Sequence, residues 1–430
     1  MGVSVMPPAA ANLADNPKNR LYRATQSGTY AVSIPVGVYE VTRQATTNII
    51  IGSTTFAPST ALQTVFINEP QTSITFNSTS STDTVPWLEG PIQNSDSFAQ
   101  QYNFRPVYLP EENMWYCPTG RNDRFWTSTN AIDWTPRSRT NNAGPTGTMI
   151  AKKPGAGNFY IESAVGVATN AANYVVRSTN GITWSTTSSR VFNQAGENAF
   201  VALFHANTYL CAGYYWRTGG HYDGIIGLST DAVTWGSQQV LFYGYSGIAE
   251  YFVSGAVGNG LFVLGTTLGS LRTSTDGFTW TIRNPLFGGN QISHIAYAAG
   301  RFLAGGTSGT LRTSTDSITW TNVESGMGTA NINNIVYDTV NGVWAVMSSG
   351  NAAIRVSTDL VNWVSRSSAP NSFEEKAIAY GNGLYVQGFT DTQTRSRWFR
   401  VADIRTLSPS VPFTDTYIIL EYKGRTRILS

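Results

Sequence analysis

The side chains best suited to contact chemistry gather in one stretch, Gly213-Tyr214-Tyr215-Trp216-Arg217-Thr218-Gly219-Gly220-His221-Tyr222-Asp223, and Tyr243-Gly244-Tyr245 repeats the aromatic theme a little further on. Tyr and Trp offer π faces on which the C–H faces of sugar rings stack, while Arg217, His221 and Asp223 can bond hydroxyls. The same set suits a protein partner, because Tyr, Trp and Arg are the usual anchors of interfaces. A third use is internal, with the rings packing this stretch against whatever lies beneath it. Catalysis has less to stand on. The three histidines are His205, His221 and His294, and two of them, His205 and His294, fall in runs that read as inner strands. Metal-ligand spacing, Ser-His-Asp order and a phosphate-cradling glycine loop are all missing from the sequence. Glycosidic cleavage needs a pair of carboxylates flanking the bond, and no pair stands out. The expectation is a non-enzymatic protein that uses neither metal nor cofactor.

Composition narrows the partners. Lys and Arg number 28 against 26 Asp and Glu, a formal charge of +2, and charged residues make up only 13% of the chain. A typical domain carries about 25%. A neutral, hydroxyl-rich surface gives no reason to expect nucleic acid or an anionic membrane, and no run of 18 apolar residues predicts a membrane span.

The elements that position the aromatic stretch are set by a repeat. Ser274-Thr275-Asp276-Gly277-Phe278-Thr279-Trp280 returns as Ser314 to Trp320 and Ser357 to Trp363, with Asp316 and Asp359 in the place of Asp276. Earlier copies run from Ser229 through Asp231 to Trp235, from Ser178 through Asn180 to Trp184, and from Ser128 through Asn130 to Trp134. Residues 401–407 align as a seventh copy that keeps Asp403 and has Leu407 in place of the Trp. A turn followed by an aromatic precedes each copy, at Trp115, Phe159, Tyr209, Phe262, Phe302, Trp344 and Tyr385. Both signatures count seven. Ser and Asp or Asn side chains accept bonds from amides two residues on and fold the chain into a tight turn, and the indole then anchors the outgoing strand with its N–H satisfied. These carboxylates therefore read as structural staples.

Within one unit, short apolar runs bounded by Gly, Asn, Asp and Ser predict strands over Ile332 to Tyr337, Val343 to Met347, Ala352 to Ser357 and Asn362 to Arg366. Four antiparallel strands in a repeat of ~40–45 residues make the blade of a β-propeller. The expected fold is all-β, a seven-bladed propeller over 97–411. The aromatic-to-Trp spacing is 18 or 19 residues in blades 1, 4, 5 and 6, 22 in blade 7, but 25 in blade 2 and 26 in blade 3. The blade 3 insertion is the aromatic stretch itself, expected as a loop on the variable face.

The flanks differ in kind. Residues 1–19 lack the pattern of a secretory signal and read as an extended arm. Over 20–90, alternating runs such as Thr29 to Ile34 and Val38 to Thr42 predict a small β-sandwich, and Ser78 to Pro86 reads as a linker. Residues 412–430 read as a hairpin turning at Lys423-Gly424 and returning to pair with that sandwich. Cys117 and Cys211 fall in non-adjacent blades and read as buried free thiols.

The staple resembles the Asp-box, or bacterial neuraminidase repeat, Ser-x-Asp-x-Gly-x-Thr-Trp, in a variant one residue shorter that is similar to repeats of bacterial and phage propellers. Tyr30 to Val41 resembles β-sandwich segments of phage tail appendages. The resemblance implies a virion structural protein, a tail fibre, spike or head appendage located in the particle. Its N-terminal region would dock to other virion proteins, in several copies, and its propeller would meet a host-surface glycan or protein. It also admits a sialidase-like glycosidase, for which Phe104-Arg105-Pro106 is a faint echo of the family's Arg-Ile-Pro motif, or a purely structural decoration protein.

Overall fold

The computed structural model describes residues 20–24, 28–44, 48–56, 63–76, 88–89, 106–118, 124–131, 134–138, 150–153, 159–163, 174–185, 189–192, 197–217, 220–236, 238–244, 249–348, 354–367, 373–391, 397–402 and 416–424. Nearly all of these residues lie in strands or the turns between them, apart from one 3-10 turn at Thr307–Gly309. Among the described residues, seven four-stranded antiparallel sheets follow one another: sheet I (107–138), II (150–190), III (197–242), IV (252–283), V (292–322), VI (332–367) and VII (373–402). In sheet VI the strands are Ile332–Asp338, Val343–Ser348, Ile354–Ser357 and Val364–Ser367, within two residues of the bounds read from sequence.

Each core lies between neighbouring sheets. Leu210, Ile226 and Leu228 of sheet III meet Phe252, Phe262 and Leu264 of sheet IV, and Ile295, Phe302 and Trp320 of sheet V meet Val263 and Leu271 of sheet IV. The same arrangement joins V to VI, VI to VII, I to II and II to III. The aromatics that open the second strands, Trp115, Tyr209, Phe262, Phe302, Trp344 and Tyr385, are all buried. Burying such rings stabilises the fold by ~2–3 kcal/mol each. Most also tilt against an aromatic on the strand before, as Phe204 does on Tyr209 (4.7 Å) and Tyr337 on Trp344 (4.8 Å).

Ring closure joins the two ends of this series. The strand Phe373–Gly381 of sheet VII lies against Val107–Leu109 of sheet I, and a Cβ on Gly381 would sit 2.2 Å from Cγ of Tyr108. Only glycine lets the ring approach that strand so closely. The fourth strand of sheet VII comes from upstream of sheet I: Leu88–Glu89 pairs with Arg397–Ala402, Val401 opposite Leu88. The ring therefore draws on residues before position 97, where sequence spacing starts it. Completing the last sheet with a strand from upstream of the first ties the two ends of the ring together through backbone hydrogen bonds.

A bulge recurs in the first strand of sheets III to VII, at Ala199/Val201, Phe252/Ser254, Ile292/His294, Ile332/Asn334 and Glu375/Ala377. The extra residue increases local twist, and in sheet III it turns Phe200 out of the ladder.

The flanking strands form two further sheets, Arg20–Ala24, Thr416–Gly424, Gly37–Gln44 and Gln63–Ile67 in one, and Gly28–Ile34, Gln71–Phe76, Ile49–Ile51 and Thr54–Phe56 in the other. Val32, Ile34, Tyr39, Val41, Ile49, Phe56, Ile74 and Leu420 share one core. The C-terminal strand is an interior strand here, with Leu420 opposite both Arg20 and Val41. Lys423-Gly424, expected as a turn, instead continues the strand, and Gly424 pairs with Val38. The ladder offered by Gly37–Gln44 outweighs the local turn preference of Lys-Gly. Cys117 and Cys211 are both buried.

Candidate functional site

The staples are built from backbone amides. Ser274 Oγ donates to Asp276 Oδ1 (2.9 Å) and accepts from the amide of Gly277 (2.8 Å). Asp276 Oδ1 also accepts from the amides of Phe278 (2.7 Å) and Thr279 (2.8 Å), and the Trp280 indole donates to Gly277 O (2.8 Å). Asp231, Asp316, Asp359 and Asn180 accept the same pair of amides. In sheet I, Ser128 Oγ donates to Asn130 and Trp134 donates to Ala131 O. Trp184 and Trp320 repeat the indole bond. Trp235 and Trp363 differ from expectation, for their indole nitrogens find no such carbonyl. Amide donation holds the Asp231 carboxyl down at about 2, chiefly through Thr234 and Val233, and lowers Asp276, Asp316 and Asp359 for the same reason. Carboxylates that bond their own chain so fully have a structural task. Asp403 lies outside the described residues.

The aromatic stretch of blade 3 is a hairpin and not a loop. Strand Thr208–Arg217 pairs with His221–Ser229 through to the tip, with Tyr214 opposite Gly224, Tyr215 opposite Asp223, Trp216 opposite Tyr222 and Arg217 opposite His221. Alternation along a strand sends successive side chains to opposite faces. One face carries Tyr214, Trp216 and Tyr222, and the other Tyr215, Arg217, His221 and Asp223.

The first face is an aromatic cluster. Tyr214 lies edge-on to Tyr222 (5.0 Å) and to Tyr251 (4.9 Å), and Phe200, the bulge residue, stacks on Tyr251 (5.9 Å). Burial, then the neighbouring Tyr222 and Tyr251 hydroxyls, push the Tyr214 phenol above its usual range. These rings hold one another, and Trp216 at the tip stays 47% exposed.

The second face is polar and charged. Asp223 is buried, 1% exposed; its Oδ2 accepts from Arg217 Nε (2.5 Å) and its Oδ1 from the amide of Gly244 (3.0 Å). A Cβ on Gly244 would sit 2.3 Å from Tyr222 O, so glycine is what brings the strand exit close enough to bond the carboxylate. The Arg217 guanidinium lies 5.1 Å from the ring centroid of Tyr243 and 5.9 Å from that of Tyr215. The Arg217 side chain is 44% exposed, and Tyr243 is 62% exposed. Cation–π contact and the buried carboxylate together fix the arginine's orientation.

Sequence spacing brought Tyr214, Tyr215, Trp216, Arg217, His221, Tyr222, Asp223 and Tyr243 into one neighbourhood, and the hairpin divides them between two faces. Tyr245 lies outside the described residues. Two contributors, Phe200 and Tyr251, were missed, since they enter from the bulged first strand of sheet III and from the approach to sheet IV. Their sequence signal is an aromatic one residue off the strand's inward period, which local reading treats as noise.

No protein-family model matches the chain, and no curated protein matches it. Solved structures do. A streptogramin B lyase superposes with a TM-score of 0.53 at 11% identity, over 74% of this chain and 98% of that one. The fold is a β-propeller. Raptor of Chaetomium thermophilum gives a TM-score of 0.50 at 10% identity, covering 76% of this chain and 30% of its own. The Cps50 (Swd1) propeller domain of Myceliophteria thermophila gives 0.48 at 10% identity, with 69% and 96% covered. At such identities the likeness is one of fold, and propellers host unrelated functions.

Proposed function

We propose that this propeller is a non-catalytic recognition module of a virion structural protein, and that the blade 3 hairpin is its contact surface for a saccharide or protein of the host surface. The observation that carries this reading is the hairpin itself. Among the described residues, sheet III has the longest pair of middle strands, and their tip exposes Trp216 on one face while the other face holds an arginine, oriented by a buried carboxylate, beside the exposed Tyr243. Exposed, well-supported aromatics with one aligned cation suit stacking on a ring and bonding its polar substituents. The virion assignment is supported by the resemblance of Tyr30 to Val41 to appendage segments and of the staples to phage propeller repeats. On this reading the two flanking sheets hold the chain in the particle, in several copies, and the propeller faces outward.

Glycan-array and whole-cell binding of the full chain tests the proposal, with Trp216→Ala and Tyr215→Ala alongside. Trp216→Ala is expected to lose at least tenfold in binding, a usual cost for an exposed aromatic anchor, while its melting temperature stays at the wild-type value. Tyr215→Ala is expected to weaken binding less, because Tyr215 acts through Arg217. A well-folded wild type that binds neither array nor cells would overturn the recognition role and favour decoration alone.

A further inference from the structure

The Arg217 guanidinium is ion-paired with Asp223 through one nitrogen only. Its Nε is taken by Asp223, and among the described residues neither terminal nitrogen has a hydrogen-bond partner. The side chain is not a free surface arginine that sweeps through solvent. Asp223, itself locked by the Gly244 amide, pins one edge, and the rings of Tyr243 and Tyr215 lie alongside the guanidinium. The edge left over is the parallel pair of N–H donors, whose spacing matches the two oxygens of a carboxylate or sulfate. Asp223 could compete for an incoming anion only through solvent-facing oxygens, and it is buried with both oxygens engaged. Among the described residues the outward groups of this face, Tyr215, Arg217 and His221, include no carboxylate, and Glu197, opposite Tyr215 on the next strand, is buried.

From this geometry we infer that the ligand of the hairpin is an acidic saccharide, whose carboxylate or sulfate docks on the terminal nitrogens of Arg217 while a sugar ring rests on Tyr243. The inference rests on the recognition role proposed above and assigns its ligand class. Tyr243 supplies a ring face, and the cation beneath it makes the pair an oxyanion-plus-ring site. A neutral sugar would use the aromatics and leave the fork unmatched.

The test is calorimetric titration of the full chain with oligogalacturonate, dextran sulfate, neutral dextran and polyglutamate. The expected result is that one or both acidic saccharides bind at least about tenfold more tightly than dextran, with affinity falling as salt rises. Oligogalacturonate against dextran sulfate tells carboxylate from sulfate. Arg217→Lys keeps the charge and removes the fork, and it is expected to bring acidic-saccharide binding down to the dextran level. Should that variant lose its thermal transition, the wild-type salt dependence and the acidic-to-neutral ratio still decide. Equal affinity for acidic and neutral saccharides, with binding lost in Trp216→Ala, would overturn the oxyanion site and leave the recognition role standing. Polyglutamate binding as tightly as the saccharides would overturn the saccharide class. Binding of none of the four would overturn the inference, and the array and cell assay then judges the recognition role separately.

Discussion

Asp276 and Asp223 are two carboxylates in neighbouring sheets with opposite fates. Asp276 stands at the surface and gives one oxygen to amides of its own turn; Asp223 is buried and gives one oxygen to an arginine that faces solvent. The first kind recurs through the ring, and each copy is consumed locally. The second lies where the repeat is broken by an extension. Repetition marks polar groups that hold the chain to itself, and the exception marks one that positions a neighbour for something else. Both kinds use the same physics, a charge-assisted bond that fixes geometry.

The contrast can be broken by removing scaffold carboxylates and asking whether anything but stability changes. The largest effect is expected at Asp338. It is buried; its Oδ1 accepts from the amides of Val340 and Asn341, and its Oδ2 from the Asn341 side chain (2.7 Å) and from the Tyr385 hydroxyl of sheet VII (3.2 Å). Burial raises its pKa, but the Asn341 side chain and the other donors outweigh burial and hold the carboxyl below its ordinary value. Asp338→Ala leaves these donors unpaired in the interior and is expected to cost ~2–4 kcal/mol in urea unfolding. Saccharide binding by the surviving folded protein should not change, and a loss of binding would couple scaffold to hairpin and dissolve the contrast.

A smaller loss is expected for Asp276→Ala, about 1 kcal/mol, the usual worth of a capping side chain. The pH dependence follows from the lowered carboxyls. A folded-state pKa below the unfolded value contributes stability that is present above the unfolded pKa and lost as pH falls through the folded one. With Asp231 at about 2 and Asp276, Asp316 and Asp359 also lowered, the melting temperature should fall as pH drops from ~4 toward 2. Asp231→Asn should flatten that fall, since Asn180 already makes the same amide bonds without a charge. An unchanged slope in the variant would place the acid sensitivity elsewhere.

The smallest effect has the opposite sign. Ser317 occupies the left-handed turn position of its staple at φ 62, where Gly277 and Gly181 serve in other copies, and its hydroxyl is buried without a partner. Ser317→Gly relieves both and is expected to stabilise by ~1–2 kcal/mol, less the entropy glycine returns to the unfolded chain. A lower melting temperature would show that the hydroxyl has a role the staple geometry does not reveal.

Legibility in the sequence followed the range of the interaction. Ser274, Asp276 and Trp280 close their bonds within seven residues, so each copy leaves an intact signature. The buried aromatics at 115, 209, 262, 302, 344 and 385 were visible for the same reason, each following its own turn. Phe200 and Tyr251 were not, because their contact with Tyr214 depends on a bulge and on the neighbouring sheet. The tip at 213–223 was found as an insertion and misjudged as a loop. Its Gly219-Gly220 and the alternation of Tyr214 and Trp216 with Tyr215 and Arg217 fit a hairpin equally, but choosing between them required the register.

By itself, then, the sequence determined the repeating staple, the strand period and the place where the repeat is interrupted, since all three are written in contacts a few residues apart. The tertiary structure decided which ends meet: Leu88–Glu89 completing sheet VII, and Thr416–Gly424 inserted between Arg20–Ala24 and Gly37–Gln44. It also decided which aromatic faces water and which oxygen faces Arg217. Those outcomes depend on pairing partners tens to hundreds of residues away, where backbone donors choose the available ladder and local preference, as at Lys423-Gly424, gives way.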